Sequence, residues 1–253
     1  MTVGPARWAV EVVQAAAWAD HVAGRLADRL ATRPDLVVCL PTGATPLPLY
    51  ERLPAVLDER GVSAGRATVV VLDDYLGLPS GHPGRCAAVL RRSVLARLEP
   101  PPARLIAVDP DAEDPAAACT AFDAEIAAAG GLDLVILGLG RNGHVGMNEP
   151  GSTADAPTRV VRLARSTRVA ARGYGVDPPP THGVTLGMAG VLAAREVWLL
   201  ATGPEKAAIL AAAVDGPVTG EVPGSLLRAH PRLRVMADES AGAQLADRRP
   251  LSD

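Results

Sequence analysis

Leu132-Asp-Leu-Val-Ile-Leu-Gly-Leu-Gly-Arg-Asn-Gly-His-Val-Gly-Met-Asn-Glu-Pro-Gly-Ser152 decides the fold class of this chain. The apolar run Leu132 to Leu137 is short, partly β-branched and bounded by Gly130, Gly131 and Gly138, which reads as a strand buried on both faces. Just past its end, a glycine-rich turn delivers Asn142, His144 and Glu149 within eight residues. Open α/β sheets bind ligands beyond the carboxyl ends of their strands, so this turn is the expected seat of the chemistry.

Outward from that stretch, apolar runs alternate with helical periods. Trp18, Val22, Leu26 and Leu30 mark one face of a helix read over Trp8 to Leu30, and Asp35 to Leu40 follows as a strand. Pro41-Thr-Gly-Ala-Thr-Pro46 turns into a helix carrying Leu47, Tyr50, Leu53 and Leu57, with Pro54 leaving its course past the second turn open. Ala67 to Leu72 is a strand ending at Asp73-Asp74-Tyr75, Ala87 to Leu98 a helix, Arg104 to Val108 a short strand, and Pro115 to Ala129 an alanine-rich helix with Phe122 inward. Beyond the central stretch lie a helical segment around Arg162 to Arg172, a partly helical Val184 to Ala194, a strand from Glu196 to Ala201, a helix from Pro204 to Val214 and a strand from Leu233 to Ala237. The expectation is one α/β domain over residues 1–253, with a mostly parallel central sheet and helices on both faces.

Composition narrows the function classes. A formal net charge of -3 provides no field for nucleic acid or an anionic membrane surface. Cys39, Cys86 and Cys119 are odd in number and widely spaced, which points to free thiols in a reducing compartment and not to a metal site. Glu11 and Asp20 interrupt the apolar N-terminal region, so neither a signal peptide nor a spanning helix is expected, and the expected location is the cytoplasm.

Several features compete for function. Gly138-Leu-Gly-Arg-Asn-Gly143 satisfies G-x-G-x-x-G after a strand, yet Asn148, Pro150 and Gly151 leave no room for the helix that a dinucleotide fingerprint must open. Thr42, Gly43, Ala44 and Thr45 lie between strand and helix, where backbone N–H groups and hydroxyls hold phosphate, or where a threonine simply caps the turn. Lys206 is the only lysine beside 24 arginines, at another strand-to-helix turn, where an ammonium reaches a phosphate as a point charge. Asp73 ends one strand and His144 and Glu149 follow another, so a parallel sheet would bring them to one crevice, a set suited to proton transfer between adjacent carbons.

These residues resemble the glucosamine-6-phosphate deaminases, in the superfamily that also holds the 6-phosphogluconolactonases. The resemblance rests on Leu40-Pro-Thr-Gly-Ala-Thr-Pro46, Leu72-Asp-Asp-Tyr-Leu-Gly-Leu78 with His82-Pro83, the run from Gly138 to Ser152, Thr158-Arg159, and Thr202-Gly203 with Lys206, in order from about residue 10 to 240. Asn148-Glu-Pro-Gly151 after Gly143-His144 matches the deaminase branch, where lactonases typically carry a Phe-Pro segment.

The resemblance implies conversion of an amino-sugar phosphate, glucosamine 6-phosphate foremost, and water to fructose 6-phosphate and ammonia, with no metal or organic cofactor. It assigns ring opening to His144, the C2-to-C1 proton shuttle to Asp73, and orientation of the histidine to Glu149, with Asn142 at a position that is Asp or Asn among members. Phosphate would sit on Thr42 to Thr45 with Lys206, and on Arg172 as a further cation. The departures are Asp74 where the family usually has Glu, Cys86 where a tyrosine is common, Ala156-Pro157 in place of Ser-Arg, and one residue fewer before Arg172. A phosphosugar lactonase and a non-catalytic sugar-phosphate-binding regulator stay open as alternatives, as does assembly into a homo-oligomer.

Overall fold

Strand runs such as Val37–Leu40, Thr68–Val71 and Val197–Ala201 carry apolar side chains at consecutive positions, so they form strands only where both faces of a sheet are covered. That is the arrangement in the computed structural model, which describes residues 9–246 other than Tyr174. In chain order the elements are β1 (Ala9–Val13), α1 (Ala15–Thr32), β2 (Val37–Leu40), α2 (Leu47–Arg60), β3 (Thr68–Val71), β4 (Asp73–Tyr75), α3 (Cys86–Ser93), β5 (Arg104–Ile106) and α4 (Pro115–Ala128). They continue with β6 (Leu134–Gly138), β7 (Arg159–Arg162), α5 (Arg165–Gly173), β8 (His182–Thr185), α6 (Met188–Leu192), β9 (Val197–Ala201), α7 (Ala207–Val214), α8 (Pro223–Leu226) and β10 (Leu233–Asp238).

Seven strands form a parallel sheet in the order β1-β10-β9-β6-β2-β3-β5. Side chains alternate strictly between its two faces. Val38, Leu40, Val69, Val71, Ile136 and Trp198 pack with α1, α2 and α3 on one side. Cys39, Val70, Val135, Leu137, Leu199 and Val235 pack with α4, α6 and α7 on the other, where Phe122 is buried as expected.

The order places a switch point between β2 and β6. From β2 the chain steps outward through β3 to β5, then returns to lay β6 against the opposite side of β2 and steps the other way. Connections leaving β2 and β6 therefore diverge, and the gap between their carboxyl ends is where such sheets accept ligands. A second sheet, antiparallel in the order β4-β8-β7, stands at this end. Asp73 is the corner residue: β3 ends at Val71, and Asp73 already pairs with Thr185 of the small sheet.

Two readings of the sequence change here, and one left open by Pro54 is decided. The helix expected over Trp8 to Leu30 is a strand followed by a helix; Trp8 lies outside the described residues, and β1 leaves the helical period to pair along β10. Pro54 does not stop α2, which runs on to Arg60. A proline interior to a helix removes one backbone bond, and the burial of Leu49, Tyr50, Leu53, Val56 and Leu57 on one face outweighs it. The helical segment around Arg162 to Arg172 begins only at Arg165, and the small sheet built from β4, β7 and β8 had no counterpart in the sequence reading.

Gly187, where β8 hands over to α6, lies so close to Ala156 and Pro157 that an added Cβ would overlap their backbone carbonyl atoms. Gly187→Ala is predicted to cost about 1–3 kcal/mol, read as a lowered Tm. Gly138→Ala, where a Cβ meets nothing within 4 Å, should change stability by no more than about 0.5 kcal/mol.

Candidate active site

A cleft of about 850 Å³ opens at the switch point. Its walls are the β2–α2 turn (Thr42, Gly43, Ala44 and Thr45), the corner residue Asp73, the turn after β6 (Gly140, Arg141 and His144), the outer face of α5 (Arg165, Ser166, Thr167, Val169 and Ala170) and the β9–α7 turn with Glu205 and Lys206. Asp73, His144, Lys206 and the 42–45 loop, expected from separate stretches of sequence, thus meet around one space.

No helix follows the glycine-rich turn among the described residues; Gly140 N–H donates to the His144 carbonyl at 2.8 Å and Gly143 N–H to the Gly140 carbonyl at 2.9 Å. Gly143 adopts φ 86°, a conformation that favours glycine. Gly140 is needed for a different reason: a Cβ there would overlap the His144 ring. The motif that mimics a dinucleotide fingerprint is a seat for an imidazole against bare backbone. The sequence reading missed Gly140 in this role.

His144, Asn142 and Glu149 form a chain of hydrogen bonds whose protons can be placed. A carboxylate only accepts, so the group of Asn142 facing Glu149 Oε2 at 2.9 Å is its amide nitrogen. The amide oxygen then faces His144 Nδ1 at 2.6 Å, and an amide oxygen only accepts. His144 Nδ1 must carry the proton, which leaves Nε2 as the nitrogen free to exchange a proton. Thr167 Oγ1 lies 3.4 Å from Nδ1, and Glu149 Oε2 itself 3.5 Å.

Glu149 is held from behind. Burial raises its pKa, but hydrogen bonds with His144, Thr167 and Asn142 outweigh burial and bring it down to about 2. Its Oε1 accepts the Ala164 N–H at 3.0 Å, at the entry to α5. The neighbouring Asn148 is fully buried, donating to the carbonyls of Val145 and Leu186 and accepting from Arg159 at 2.9 Å. Asn148-Glu149-Pro150-Gly151 is therefore a braced turn that presents one carboxylate.

Asp73 is in the opposite condition. Burial pushes its pKa up to about 7, with the Asp74 carboxylate adding to the rise, while a hydrogen bond from Cys86 and the proximity of His144 draw it back. It is 6% exposed yet lines the cleft. The result is a carboxylate poised to take and return a proton near neutrality, facing an imidazole with one bare nitrogen.

On the side of the 42–45 loop, Gly43 with φ 100° turns the chain between Thr42 and α2. Lys206 Nζ donates to the Leu139 carbonyl at 2.7 Å. Burial lowers the Lys206 pKa, opposed by Glu205 and reinforced by Arg141, which places both neighbours within electrostatic reach. Arg172 is not brought in. It is an exposed residue whose Nε lies 3.3 Å from Asp177, and it is absent from the cleft wall. Arg172 lies past Ala170, the last residue of α5 on the cleft wall, and about 10 Å along the helix from Arg165, whose face it shares. Arg141 and Arg165, which the sequence reading passed over, line the cleft instead. Among the described residues no cluster of His, Cys, Asp and Glu has the makings of a metal site, and no helix is long and apolar enough to cross a membrane.

Comparison with known proteins agrees with this geometry. Residues 10–235 match the family model for glucosamine-6-phosphate isomerases/6-phosphogluconolactonase. A glucosamine-6-phosphate deaminase of Streptomyces avermitilis is 41% identical over 239 residues, covering 93% of this chain and 92% of that protein. A glucosamine-6-phosphate deaminase of Pseudarthrobacter chlorophenolicus is 42% identical over 225 residues, covering 88% and 86%. Among solved structures, a monomeric glucosamine-6-phosphate deaminase superposes with a TM-score of 0.86 at 29% identity, covering 93% of this chain and 99% of that one. The 6-phosphogluconolactonase of Thermotoga maritima shares the fold, with a TM-score of 0.72 at 22% identity over 92% and 100% of the two chains. With its sequence, its sheet order and its cleft all pointing the same way, the chain belongs to the glucosamine-6-phosphate isomerase/6-phosphogluconolactonase family of enzymes.

Proposed function

We propose that this protein converts glucosamine 6-phosphate and water into fructose 6-phosphate and ammonia. The observation that carries the reading is the pairing of Asp73, a buried carboxylate titrating near 7, with His144, held by Asn142 so that Nε2 is its free nitrogen, in one cleft.

Ring opening moves a proton from the anomeric hydroxyl to the ring oxygen, and His144 Nε2 can accept the first and deliver it to the second without altering Nδ1. In the open chain the carbonyl at C1 acidifies the C2 proton. Asp73 removes it to give an enolamine, then returns it to C1, because the two carbons are neighbours and one carboxylate reaches both. The C2 imine so formed takes up water and expels ammonia. Glu149 and Asn142 hold the imidazole, and the phosphate sits on the 42–45 loop with Lys206. Arg141 and Arg165 add positive charge at the cleft wall, in the role first expected of Arg172. The small-molecule phosphosugar is the proposed partner; a cytoplasmic site of action is consistent with free, buried Cys39, Cys86 and Cys119.

The direct test is ammonia and fructose 6-phosphate assayed together over a panel of amino-sugar phosphates. Hydrolysis of a phosphosugar lactone without ammonia from any of them would overturn the reading. Because the base must be ionised, kcat/KM is expected to rise with pH to a plateau above about 7.

Asp73→Asn should abolish ammonia release while raising Tm. Its folded pKa lies above the unfolded value of 3.8, so the stability of the wild type is undiminished below about pH 4 and falls as pH rises through about 7. The Tm advantage of Asp73→Asn is therefore expected to be largest near pH 8 and to vanish near pH 4. For the phosphate subsite, Lys206→Met should raise KM by about tenfold or more, as loss of a charged hydrogen bond implies, whereas Arg172→Ala should leave KM within about twofold.

A further inference from the structure

Cys86 is the first residue of α3, buried behind the cleft wall against two of its lining residues, Thr42 and Asp73. Its backbone N–H donates to Asp74 Oδ1 at 3.0 Å, and the same oxygen accepts the Tyr75 N–H at 2.8 Å, so the start of α3 is pinned to the strand that carries Asp73. Its side chain has two polar neighbours. Thr42 Oγ1, on the phosphate loop, donates to Sγ at 3.4 Å, and the thiol is hydrogen-bonded to the Asp73 carboxylate.

The direction of this chain follows from what each group can give. A carboxylate only accepts, so the thiol proton points at Asp73 when Asp73 is ionised. The sulfur lone pair is then what Thr42 donates to. Burial holds the thiol well above its ordinary pKa, with Asp73 and Asp74 pushing the same way, so the sulfur keeps its proton and stays a donor.

We propose that Cys86 is a positioning residue that couples the phosphate loop to the general base: its thiol takes a hydrogen bond from Thr42 and gives one to Asp73. The inference rests on the isomerase/deaminase reading for its kinetic consequence, though not for the coupling itself. Linked hydrogen bonds strengthen one another, so donation from Thr42 sharpens the thiol's hold on the carboxylate. A phosphate oxygen is a far better acceptor than a thiol sulfur, and Thr42 has a single hydroxyl proton. When phosphate recruits that proton, the thiol loosens and Asp73 becomes more basic. The base would thus reach full strength only when the correct end of the substrate is seated.

The other groups that act on Asp73 do not offer this route. Cys39 on β2 and Tyr50 on α2 lie within electrostatic reach, but the Tyr50 hydroxyl is committed to the Pro41 carbonyl at 2.6 Å. Asp74 opposes ionisation and His144 favours it, and neither is hydrogen-bonded to the phosphate loop.

The test is the acid limb of the kcat/KM pH profile. Cys86→Val and Cys86→Ala, apolar replacements of different size, should both move the limb to higher pH and lower kcat/KM at pH 6 by about three- to tenfold relative to wild type, with little loss above pH 8. Cys86→Ser, which restores a donor and an acceptor, should bring the limb back. Thr42→Val should shift the limb in the wild-type background and produce no further shift in Cys86→Val. An unmoved limb in both apolar variants, or equal Thr42→Val shifts in the two backgrounds, would overturn the proposal. If the wild type releases no ammonia, the functional reading fails by itself, and the coupling is still decided by carbon-13 NMR titration of the Asp73 carboxyl, assigned by its loss in Asp73→Asn. In that measurement the pKa must rise in Cys86→Val and Cys86→Ala and return in Cys86→Ser; the same value in all four proteins overturns the proposal.

Discussion

Parallel strand pairing is the constraint from which the rest of this molecule follows. Because β2, β3, β6 and β9 run the same way, the residues that leave them all emerge at one edge, and the reversal of order between β2 and β6 opens that edge into a cleft. Thr42, Asp73, His144 and Lys206 are up to 164 residues apart in the chain and arrive together for this reason. Hydrophobic burial on both faces supplies the driving force for the sheet, and its geometry has no freedom left to scatter those residues.

Within the cleft, two carboxylates of similar intrinsic acidity are driven apart by what surrounds them. Glu149 is saturated with donors and stays ionised at any physiological pH; Asp73 is surrounded by apolar atoms, thiols and another carboxylate, which push its pKa up to about 7. One is a fixed charge and the other can change its charge near neutrality. The corner position of Asp73, between the large and small sheets, is what buries it without closing it off from the cleft.

The legible part of this protein was the part with local signatures. Val37–Leu40, Thr68–Val71 and Val197–Ala201 announce themselves because strands covered on both sides are apolar at every position. Asn142, His144 and Glu149 share one turn, so proximity in sequence is proximity in space. β1 was hidden because Glu11, buried in ion pairs with Arg25 and Arg234, reads as a solvated residue of the following helix. β4, β7 and β8 are three or four residues long and polar, and exist only through pairing with one another. Arg172 lies on the same helix as the cleft residues but past the last of them, Ala170, a distinction that neither composition nor period resolves. Gly140 and Cys86 matter through what lies against them, which no one-dimensional reading contains.

The double attachment of Glu149 has a mechanical consequence. One oxygen grips the Ala164 amide where α5 begins, and the other grips Asn142, which in turn holds the imidazole. The helix roofing the cleft and the ring inside it hang from the two ends of a single carboxylate. Were that helix to shift, it would pull on the carboxylate that holds Asn142 and, through it, the ring of His144, so one wall of the cleft and the imidazole inside it move as parts of one linkage.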